Sequence, residues 1–279
     1  MAAPDYVVVG HITKDVIRDG YTVGGTVTYA GLTARRLGCR VGVLTSAGPD
    51  LDVAAALPGI EVVVVPAGVT TTFENLYHDG RRRQFLRAVA APILREHVPP
   101  SWRDARIVHL GPLAREFGPD LLDAFPGAQL RGLTPQGWLR RWDADGLVGP
   151  AEPPSLDGAS ARLDVVVFSE EDVAEDWQLL RRLTATASWA VVTQGARGAT
   201  LWLKAASTAY QAFPATEVDP TGAGDVFAAA FLIRLSQTSD PREAMIFANC
   251  VASFCVEGPG ASTLPSLEQV LERREGAGL

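Results

Sequence analysis

The chain has 279 residues, enough for one large α/β domain or two small ones, and its 47% hydrophobic content is ample for a core. The formal net charge is −7, and the longest basic run is Arg81-Arg82-Arg83. We therefore expect no basic face of the kind that binds nucleic acid. No apolar stretch approaches the ~20 residues of a membrane span, so we expect no membrane partner either.

Cysteine usage and the N-terminus bear on the compartment. The three cysteines, Cys39, Cys250 and Cys255, lack the spacing of a disulfide framework or a zinc site. The first residues show neither the charged region nor the long apolar region of a signal peptide. These features predict a cytoplasmic protein with free thiols.

Short apolar runs, several of them ending at glycine, alternate with helix-like stretches along most of the chain. Such runs are typical of buried parallel strands, and the alternation predicts an α/β fold with a mostly parallel central sheet flanked by helices. Two helices are expected to close the chain before a polar tail. The other predicted elements are strands at 6–10, 40–45, 60–65, 105–111, 163–168, 190–193 and 199–203, and helices at 29–37 and 50–57.

The segment 69–85 interrupts this alternation. Polar residues alternate with Phe73, Leu76, Tyr77 and Phe85, and Asp79-Gly80 is a strong hairpin signal because both residues tolerate positive φ. The pattern predicts a small, half-exposed sheet, to which 16–23 would add one short stretch. An edge hairpin that never moves is the alternative to a mobile lid.

Residues 219–225 form a glycine-rich turn, Asp219-Pro220-Thr221-Gly222-Ala223-Gly224-Asp225, before an apolar run at 226–233. The first turn of a helix has unpaired N–H groups and partial positive charge, so this turn is suited to a phosphate. An Asp in the same turn can accept a proton from a neighbouring hydroxyl. The turn suggests phosphoryl transfer to an alcohol; the alternative is that Asp225 only caps the helix.

This turn resembles the C-terminal signature of the ribokinase-like (PfkB) carbohydrate and nucleoside kinases. The resemblance extends from Gly10 to Ser262 and implies one ribokinase-like kinase domain over 1–279, with a minimal β lid from about 16–23 and 69–87. It implies ATP and Mg²⁺ as cofactors. Asp225 would be the catalytic base, and Gly222, Ala223 and Gly224 would form the anion hole.

The N-terminal motif 10–15 and the pair Gly24-Gly25 resemble the family's acceptor-binding motif. The resemblance assigns acceptor contacts to Thr13, Asp15, Gly24 and Gly25, and the predicted lid adds Asn75 with Thr72 and Glu74. Taken singly, Asp15 is equally a turn residue and the diglycine equally a helix start. Tyr29 departs from the Asn frequent there in ribokinases, so either the acceptor is larger or flatter than ribose or Tyr29 turns into the core.

Three further segments resemble the family's donor and metal motifs. The alternatives are an ordinary hairpin turn at 193–198, a helix-surface Asn249, and a plain helix start at 169–172. The loop 257–262 would complete a K⁺ site by backbone carbonyls. The implied residues are Thr193, Gly195, Gly198, Asn249 and Ser169 for ATP, Asp172 for Mg²⁺ through water, and Asp219 and Thr221 for the monovalent cation.

The acceptor is left open among three classes. A sugar or cyclitol is favoured because Asp15 and the polar lid residues suit many hydroxyls. A nucleoside is the second reading, because Tyr29, Phe73 or Tyr77 could stack on a base. A catalytically silent ligand sensor is the third, suggested by Ser169 and Asp172 in place of the family's Asn and Glu. We expect a monomer or homodimer, and a role for Gln136 or Arg140 at the site competes with surface packing.

Overall fold

A computed structural model describes residues 3–78, 81–155, 162–173, 176–204 and 206–278. Asp79-Gly80, the predicted hairpin turn, lies outside these residues. The described strands are β1 (Tyr6–Val9), β2 (Thr13–Ile17), β3 (Gly20–Gly24), β4 (Val41–Ala47), β5 (Glu61–Pro66), β6 (Thr71–His78), β7 (Arg81–Ala88), β8 (Ile107–Leu110), β9 (Leu130–Leu133), β10 (Arg140–Trp142), β11 (Val148–Pro150), β12 (Leu163–Ser169), β13 (Ala187–Thr193), β14 (Ala199–Leu203) and β15 (Ala206–Tyr210).

Nine of these strands form the central sheet, in the order β15-β14-β13-β12-β9-β8-β1-β4-β5. The pairs from β13 to β5 are parallel, whereas β14 pairs antiparallel with β13 and the edge strand β15 pairs antiparallel with β14. The predicted α/β class with a mostly parallel sheet is therefore confirmed. Parallel strands have both faces covered, which explains why β1 and β4 are apolar runs without alternation.

Helices cover one face of the sheet, and a largely irregular segment with α4 covers the other. The first face packs against α1, α5 and α6, and the second against side chains such as Trp102 and Phe125. Helix α5 is buried nearly all round from Val226 to Leu235, as expected for a central helix. The helices are α1 (Thr26–Arg36), α2 (Val53–Ala56), α3 (Glu170–Val173), α4 (Trp177–Ala185), α5 (Ala223–Thr238), α6 (Pro241–Cys255) and α7 (Leu267–Gly276).

The C-terminal end differs from the sequence prediction. Three helices close the described chain, because α7 forms where a polar tail was expected. Ser266 and Gln269 form a capping box at its start, and Val270 is fully buried. One buried residue and a good cap suffice for a helix that the weak apolar pattern did not reveal. In the described part of the chain, no helix has the length and apolarity needed to cross a bilayer.

A second, four-stranded sheet has the order β3-β2-β6-β7, which confirms the predicted small β sheet. The N-terminal part is larger than expected, because it is a hairpin of two strands, β2 and β3, and not one stretch. Strand β2 pairs in parallel with β6, and Asp15 lies opposite Phe73 in the register. The start of β2 follows the carboxyl end of β1, and Ile12 N–H donates to Thr45 Oγ1 of β4 at 2.7 Å, so the small sheet begins at the edge of the central sheet where α/β ligand sites lie.

Candidate active site

The turn before α5 has a backbone that only glycine accommodates easily. Gly222 is the N-cap residue with φ 79°, and a Cβ atom there would lie 2.3 Å from a ring carbon of Tyr29. Ala223 N–H donates to Pro220 O at 3.2 Å, and Val226 N–H donates to Gly222 O at 2.9 Å. Among the described residues, no acceptor contacts the amides of Gly224 and Asp225. These two amides point from a helix N-terminus with nothing to bind, as an anion hole requires.

Asp225 follows in the first turn of α5 and is half-buried. The pKa of its carboxyl is raised to about 6, mainly by burial and also by the charge of Asp172, while Thr26 and Arg140 oppose the rise. Thr26 does so through a hydrogen bond from the start of α1, and Arg140 through its positive charge. A carboxyl with a pKa near neutrality is well matched to accepting a hydroxyl proton.

The N-terminal motif is built around the diglycine. A Cβ atom on Gly24 would lie 2.1 Å from Asp15 Oδ2 and 3.0 Å from Thr13 Oγ1, so glycine is what lets Asp15 lie against this backbone. Gly25 has φ 92°, and a Cβ there would lie 2.5 Å from His11 O. The diglycine therefore closes tightly on the segment 11–15 and fixes the direction of the Asp15 carboxylate.

Tyr29 links this motif to the α5 turn. Its side chain is only 4% exposed, and it packs under Gly222. Burial raises the pKa of its hydroxyl, and the charges of Asp15, Asp219 and Asp225 raise it further. The two motifs, about two hundred residues apart in the chain, thus come together around one buried phenol. Of the two readings of Tyr29, the structure favours the one in which it turns into the core.

The small sheet presents one of its three predicted polar residues on the side of Asp15. Because side chains alternate along a strand, Asn75 shares the face of Asp15 and Phe73, while Thr72 and Glu74 face the other way. Glu74 accepts from Arg87 Nε at 2.8 Å, and Thr72 Oγ1 donates to Thr70 O. The expectation that Thr72 and Glu74 lie over the acceptor is wrong, since strand alternation turns them outward.

His11 and Glu116 shape the floor beneath the acceptor motif. The His11 ring donates from Nε2–H to Ala91 O at 2.9 Å. Its Nδ1 accepts a hydrogen bond from Thr71 Oγ1. His11 is fully buried, and both of its ring nitrogens are hydrogen-bonded within the chain. Glu116 is 4% exposed and accepts from the backbone N–H groups of His11, Leu113 and Ala114. Nothing in the sequence around Glu116 marked it, because this role depends on contacts from distant loops.

The donor motifs lie at the carboxyl ends of β12 and β13. Ser169 N–H donates to Asp172 Oδ2 at 2.9 Å, and Glu171 N–H donates to Ser169 Oγ at 3.2 Å, so the pair caps α3. Thr193 Oγ1 donates to Phe168 O at 3.4 Å, which ties the two strand ends together. Residues 169–172 therefore form a capped helix start. The bond from Ser169 N–H uses Asp172 Oδ2 and not Oδ1.

The loop 194–198 is a tight turn with one open side. Gly195 has φ 57°, and a Cβ atom there would have no atom within 4 Å, whereas a Cβ on Gly198 would lie 2.1 Å from Tyr210 O. On α6, which packs against β14 and β15, Asn249 is 6% exposed. Its Nδ2 is buried without a hydrogen-bond partner, so the helix-surface reading of Asn249 is wrong. An orphaned buried amide suits a ligand group that the chain itself does not provide.

Asp219 fastens the α5 turn to the loop after α6. Its carboxylate accepts from Thr221 N–H at 3.0 Å and from Gly260 N–H at 3.0 Å. Val218 N–H donates to Val256 O at 2.7 Å. The two loops named for a monovalent cation therefore do lie side by side. Among the described residues, no group of three or more His, Cys, Asp or Glu side chains could hold a metal ion by itself.

Sequence similarity connects this geometry to known kinases. The model of the pfkB family of carbohydrate kinases matches residues 163–268. A cytidine kinase of Thermococcus kodakarensis is 27% identical over 84% of this chain and 89% of its own length. An inositol 3-kinase of Oryza sativa subsp. japonica is 28% identical over 95% of this chain and 73% of its own length.

A solved pyrophosphate-dependent kinase of the ribokinase family, complexed with a pyrophosphate analogue and myo-inositol, has a TM-score of 0.79. It is 22% identical, and the match covers 96% of this chain and 99% of that one. The fold is thus the ribokinase fold, with a candidate phosphoryl-transfer site at the carboxyl edge of its sheet. The pfkB match over 163–268 and these relatives support a ribokinase-like PfkB carbohydrate kinase, a phosphotransferase that acts on a hydroxyl group.

Proposed function

We propose that the protein transfers the γ-phosphoryl group of ATP to a hydroxyl group of a cyclitol or sugar. The observation that carries the proposal is the first turn of α5, where a carboxyl with a pKa of about 6 follows two amides without acceptors. A proton acceptor and an anion site on neighbouring residues are what phosphoryl transfer to an alcohol needs.

The acceptor lies between Asp15, the diglycine Gly24-Gly25 with Thr13, and Asn75. Asp15 accepts hydrogen bonds from acceptor hydroxyls and orients one of them toward Asp225. Asp225 takes the proton of that hydroxyl as its oxygen bonds to the γ-phosphorus, and the bond from phosphorus to the bridging oxygen of the leaving ADP breaks. The first-turn amides stabilise the negative charge on the transferred group. Positioning and electrostatics supply most of the rate.

The donor lies along the ends of β12 and β13. Mg²⁺, when bound, neutralises charge on the donor phosphates, and Asp172 Oδ1 is available to hold one of its waters. The buried Nδ2 of Asn249 donates a hydrogen bond to the adenine base of ATP. The loops joined by Asp219 hold K⁺ through backbone carbonyls, including that of Thr221. The residues on the donor are Ser169, Thr193, Gly195, Gly198 and Asn249, with Gly222, Ala223 and Gly224 around the transferred group.

The chain works as one kinase domain over 1–279, with the small sheet as its lid. The strands β2, β3, β6 and β7 make up most of the described part of the proposed lid segments, about 16–23 and 69–87. Because Asp15 lies in β2 and Asn75 in β6, any movement of this sheet changes the acceptor site directly. A rigid edge sheet would leave the acceptor open to water throughout turnover.

A polyhydroxy acceptor is favoured over a base because two of the aromatic side chains named for stacking, Tyr29 and Phe73, are not available. Tyr29 and Phe73 are each 4% exposed, and Phe73 packs against Leu86 and Leu113. The relative named as an inositol 3-kinase matches nearly the whole chain. A nucleoside is the second candidate, supported by the similarity to the cytidine kinase. A silent ligand sensor would have no need for a carboxyl whose pKa is held near neutrality beside two helix amides without acceptors in the chain.

Coupled assays of ADP release across inositols, sugars and nucleosides test the proposal. We expect turnover with one or more cyclitols or sugars, ATP as donor and Mg²⁺ required. Pyrophosphate, assayed by phosphate release, serves as the alternative donor. A higher kcat/KM with cytidine or another nucleoside would show that the acceptor is a nucleoside and not a cyclitol or sugar. No turnover despite ATP binding would favour the ligand sensor.

Two variants test the placement of the acceptor and donor. Asp15→Ala is expected to raise the acceptor KM by on the order of 10-fold or more while leaving ATP binding nearly unchanged, since a charged hydrogen bond contributes ~1.5–3 kcal/mol. Asn249→Ala is expected to weaken ATP and spare the acceptor. Isothermal titration with ATP and acceptor separates the two effects. An Asp15→Ala protein with weakened ATP binding would show that the two sites are exchanged.

A further inference from the structure

The loop 111–116, which follows β8, lies between the diglycine of the acceptor motif and the segment 137–152. A Cβ atom on Gly25 would lie 3.2 Å from Leu113 Cδ1, so the loop lies against the diglycine. On the other side, a Cβ on Gly137 would lie 2.4 Å from Leu113 N, and Gly137 N–H donates to Pro112 O at 2.7 Å. The loop therefore separates the acceptor motif from the segment 137–152 and fixes the distance between them.

Arg115 in this loop has an unusual backbone and a specific set of contacts. Its φ is 56°, a strained backbone conformation for a residue other than glycine, which persists only where the surroundings enforce it. Its guanidinium donates to Arg140 O at 2.7 Å and to Trp138 O and Glu152 O at 3.0 Å each. Glu116 next to it binds the backbone of His11, so the two residues connect opposite sides of the loop.

The segment bound by Arg115 includes the cation Arg140, whose charge acts on the Asp225 carboxyl. Arg140 is half-buried at the start of β10, and its charge acts on Asp225. The other groups that face Asp225 are the Thr26 hydroxyl from α1 and Asp172 from α3, with Tyr6, Tyr29 and Cys255 near enough for its charge to raise their pKa values. Among these groups, Arg140 is the one whose positive charge opposes that of Asp172.

We propose that Arg115 is a positioning residue of the phosphoryl-transfer site, which clamps the backbone of 138–152 so that Arg140 faces the acceptor hydroxyl and the group transferred to it. The proposal rests on the proposed function for its reaction, and on the three carbonyl contacts for its geometry. Arg140 then stabilises the charge that develops between acceptor and donor, and Arg115 acts only through it. A planar fork with several donors suits this clamp, and a lysine ammonium does not reproduce it.

Four single variants and one double variant test the clamp. Arg115→Gln removes the fork, and Arg115→Gly removes it while suiting the positive φ, so it controls for backbone strain. Arg140→Gln removes the cation. Arg131→Gln is the matched control, because Arg131 Nη2 also donates to two carbonyls, Phe125 O at 2.9 Å and Pro126 O at 3.1 Å, but on the loop that enters β9, far from its carboxyl end.

We expect Arg115→Gln and Arg115→Gly to lower kcat/KM for the acceptor by on the order of 10-fold, the scale of a small misplacement of a reacting group. Arg131→Gln should lower thermal stability without changing kcat/KM. In the double variant Arg115→Gln/Arg140→Gln, the loss should not exceed that of Arg140→Gln alone, because the two residues act as one unit. Losses that multiply would overturn the proposal, and so would an equal loss in Arg131→Gln.

Carbon-13 NMR titration of the Asp225 carboxyl gives a readout that needs no turnover, with Asp225→Asn to assign the signal. Its pKa should rise in Arg115→Gln, Arg115→Gly and Arg140→Gln, since each variant removes or displaces the opposing positive charge, and should stay unchanged in Arg131→Gln. A rise in Arg140→Gln without one in the Arg115 variants would overturn the clamp. A parent protein that turns over no acceptor but shows these shifts would refute the proposed function and leave the clamp supported.

Discussion

Two helix starts in this protein have an aspartate at the same position and use it in opposite ways. In α3 the N-cap is Ser169 and the third helical residue is Asp172; in α5 the N-cap is Gly222 and the third is Asp225. In α3, the side chains of Ser169 and Asp172 accept hydrogen bonds from backbone N–H groups of the first turn. Gly222 has no side chain that could cap α5 in this way. A self-capped helix start has little left for a ligand, and a glycine-capped one keeps its amides and its carboxylate available.

The difference extends to electrostatics. Asp225 is half-buried, and the pKa of its carboxyl is raised to about 6, mainly by burial and also by the nearby charge of Asp172. Asp172 in α3 therefore raises the pKa of Asp225 in α5 without taking part in the proton transfer itself. The comparison suggests that a helix N-terminus becomes reactive when its cap residue has no side chain to cap it, and substitutions at Asp225, Gly222 and Asp172 test that idea.

The largest effect is expected for Asp225→Asn. The amide cannot accept the acceptor proton, so kcat should fall by at least ~10²-fold, the usual scale for a general base. ATP affinity measured by calorimetry should stay within a factor of a few. Near-normal kcat would reduce Asp225 to a helix cap and make the two helix starts equivalent.

Gly222→Ala is expected to damage both stability and turnover. The new methyl group would meet the Tyr29 ring, and φ 79° is strained for alanine, which together cost roughly 1–3 kcal/mol or more. The melting temperature should fall by several degrees, and kcat should fall with it because the first-turn amides move. Gly224→Ala is the control, since no atom lies within 4 Å of a Cβ at that position. Equal losses in the two variants would contradict the packing argument.

Asp172 has two separable roles to test. Asp172→Asn keeps an oxygen that can accept from Ser169 N–H but loses the charge, whereas Asp172→Ala loses both. We expect Asp172→Ala to lose about 1 kcal/mol of stability, the typical contribution of a cap, and Asp172→Asn to lose less.

If Asp172 also holds a water of Mg²⁺, both Asp172 variants should need more Mg²⁺ for half-maximal rate, and Asp172→Glu should need no more than the parent. Both neutral variants should also lower the pKa of Asp225, so the acid limb of kcat/KM, expected near pH 6, should move to lower pH. A titration of Mg²⁺ at saturating ATP that leaves the Asp172→Ala curve unchanged would restrict Asp172 to capping.

The smallest expected effect is a gain in stability from Asp225→Asn at high pH. The carboxyl pKa is raised from 3.8 to about 6 on folding, so protonation favours the folded state and stability rises as the pH falls through 6 toward 4. Above pH 6 the buried charge is a cost, and Asn removes it. Allowing for partial solvent access, we expect a gain of about 1 kcal/mol at pH 8 that disappears below pH 4. Thermal unfolding of both proteins at pH 4 and pH 8 measures the difference.

The sequence by itself determined the features that are local in the chain. A glycine at positive φ, a helix start and an apolar helix are all specified within a few residues, so the α5 turn and Asp225 could be recognised directly. The buried strands, with their apolar runs, predicted the parallel sheet for the same reason. The small sheet was also predictable, although its β2–β3 hairpin was underestimated because its residues carry only a short apolar pattern.

Tertiary structure decided what depends on contacts between distant segments. Tyr29 turned into the core because it packs under Gly222, and strand alternation across a four-stranded sheet turned Thr72 and Glu74 away from Asp15. The orphaned amide of Asn249 and the bonds of Arg115 and Glu116 arise where segments far apart in the chain meet. Burial and opposing charges exist only in the assembled fold, so no local pattern could give the pKa of Asp225.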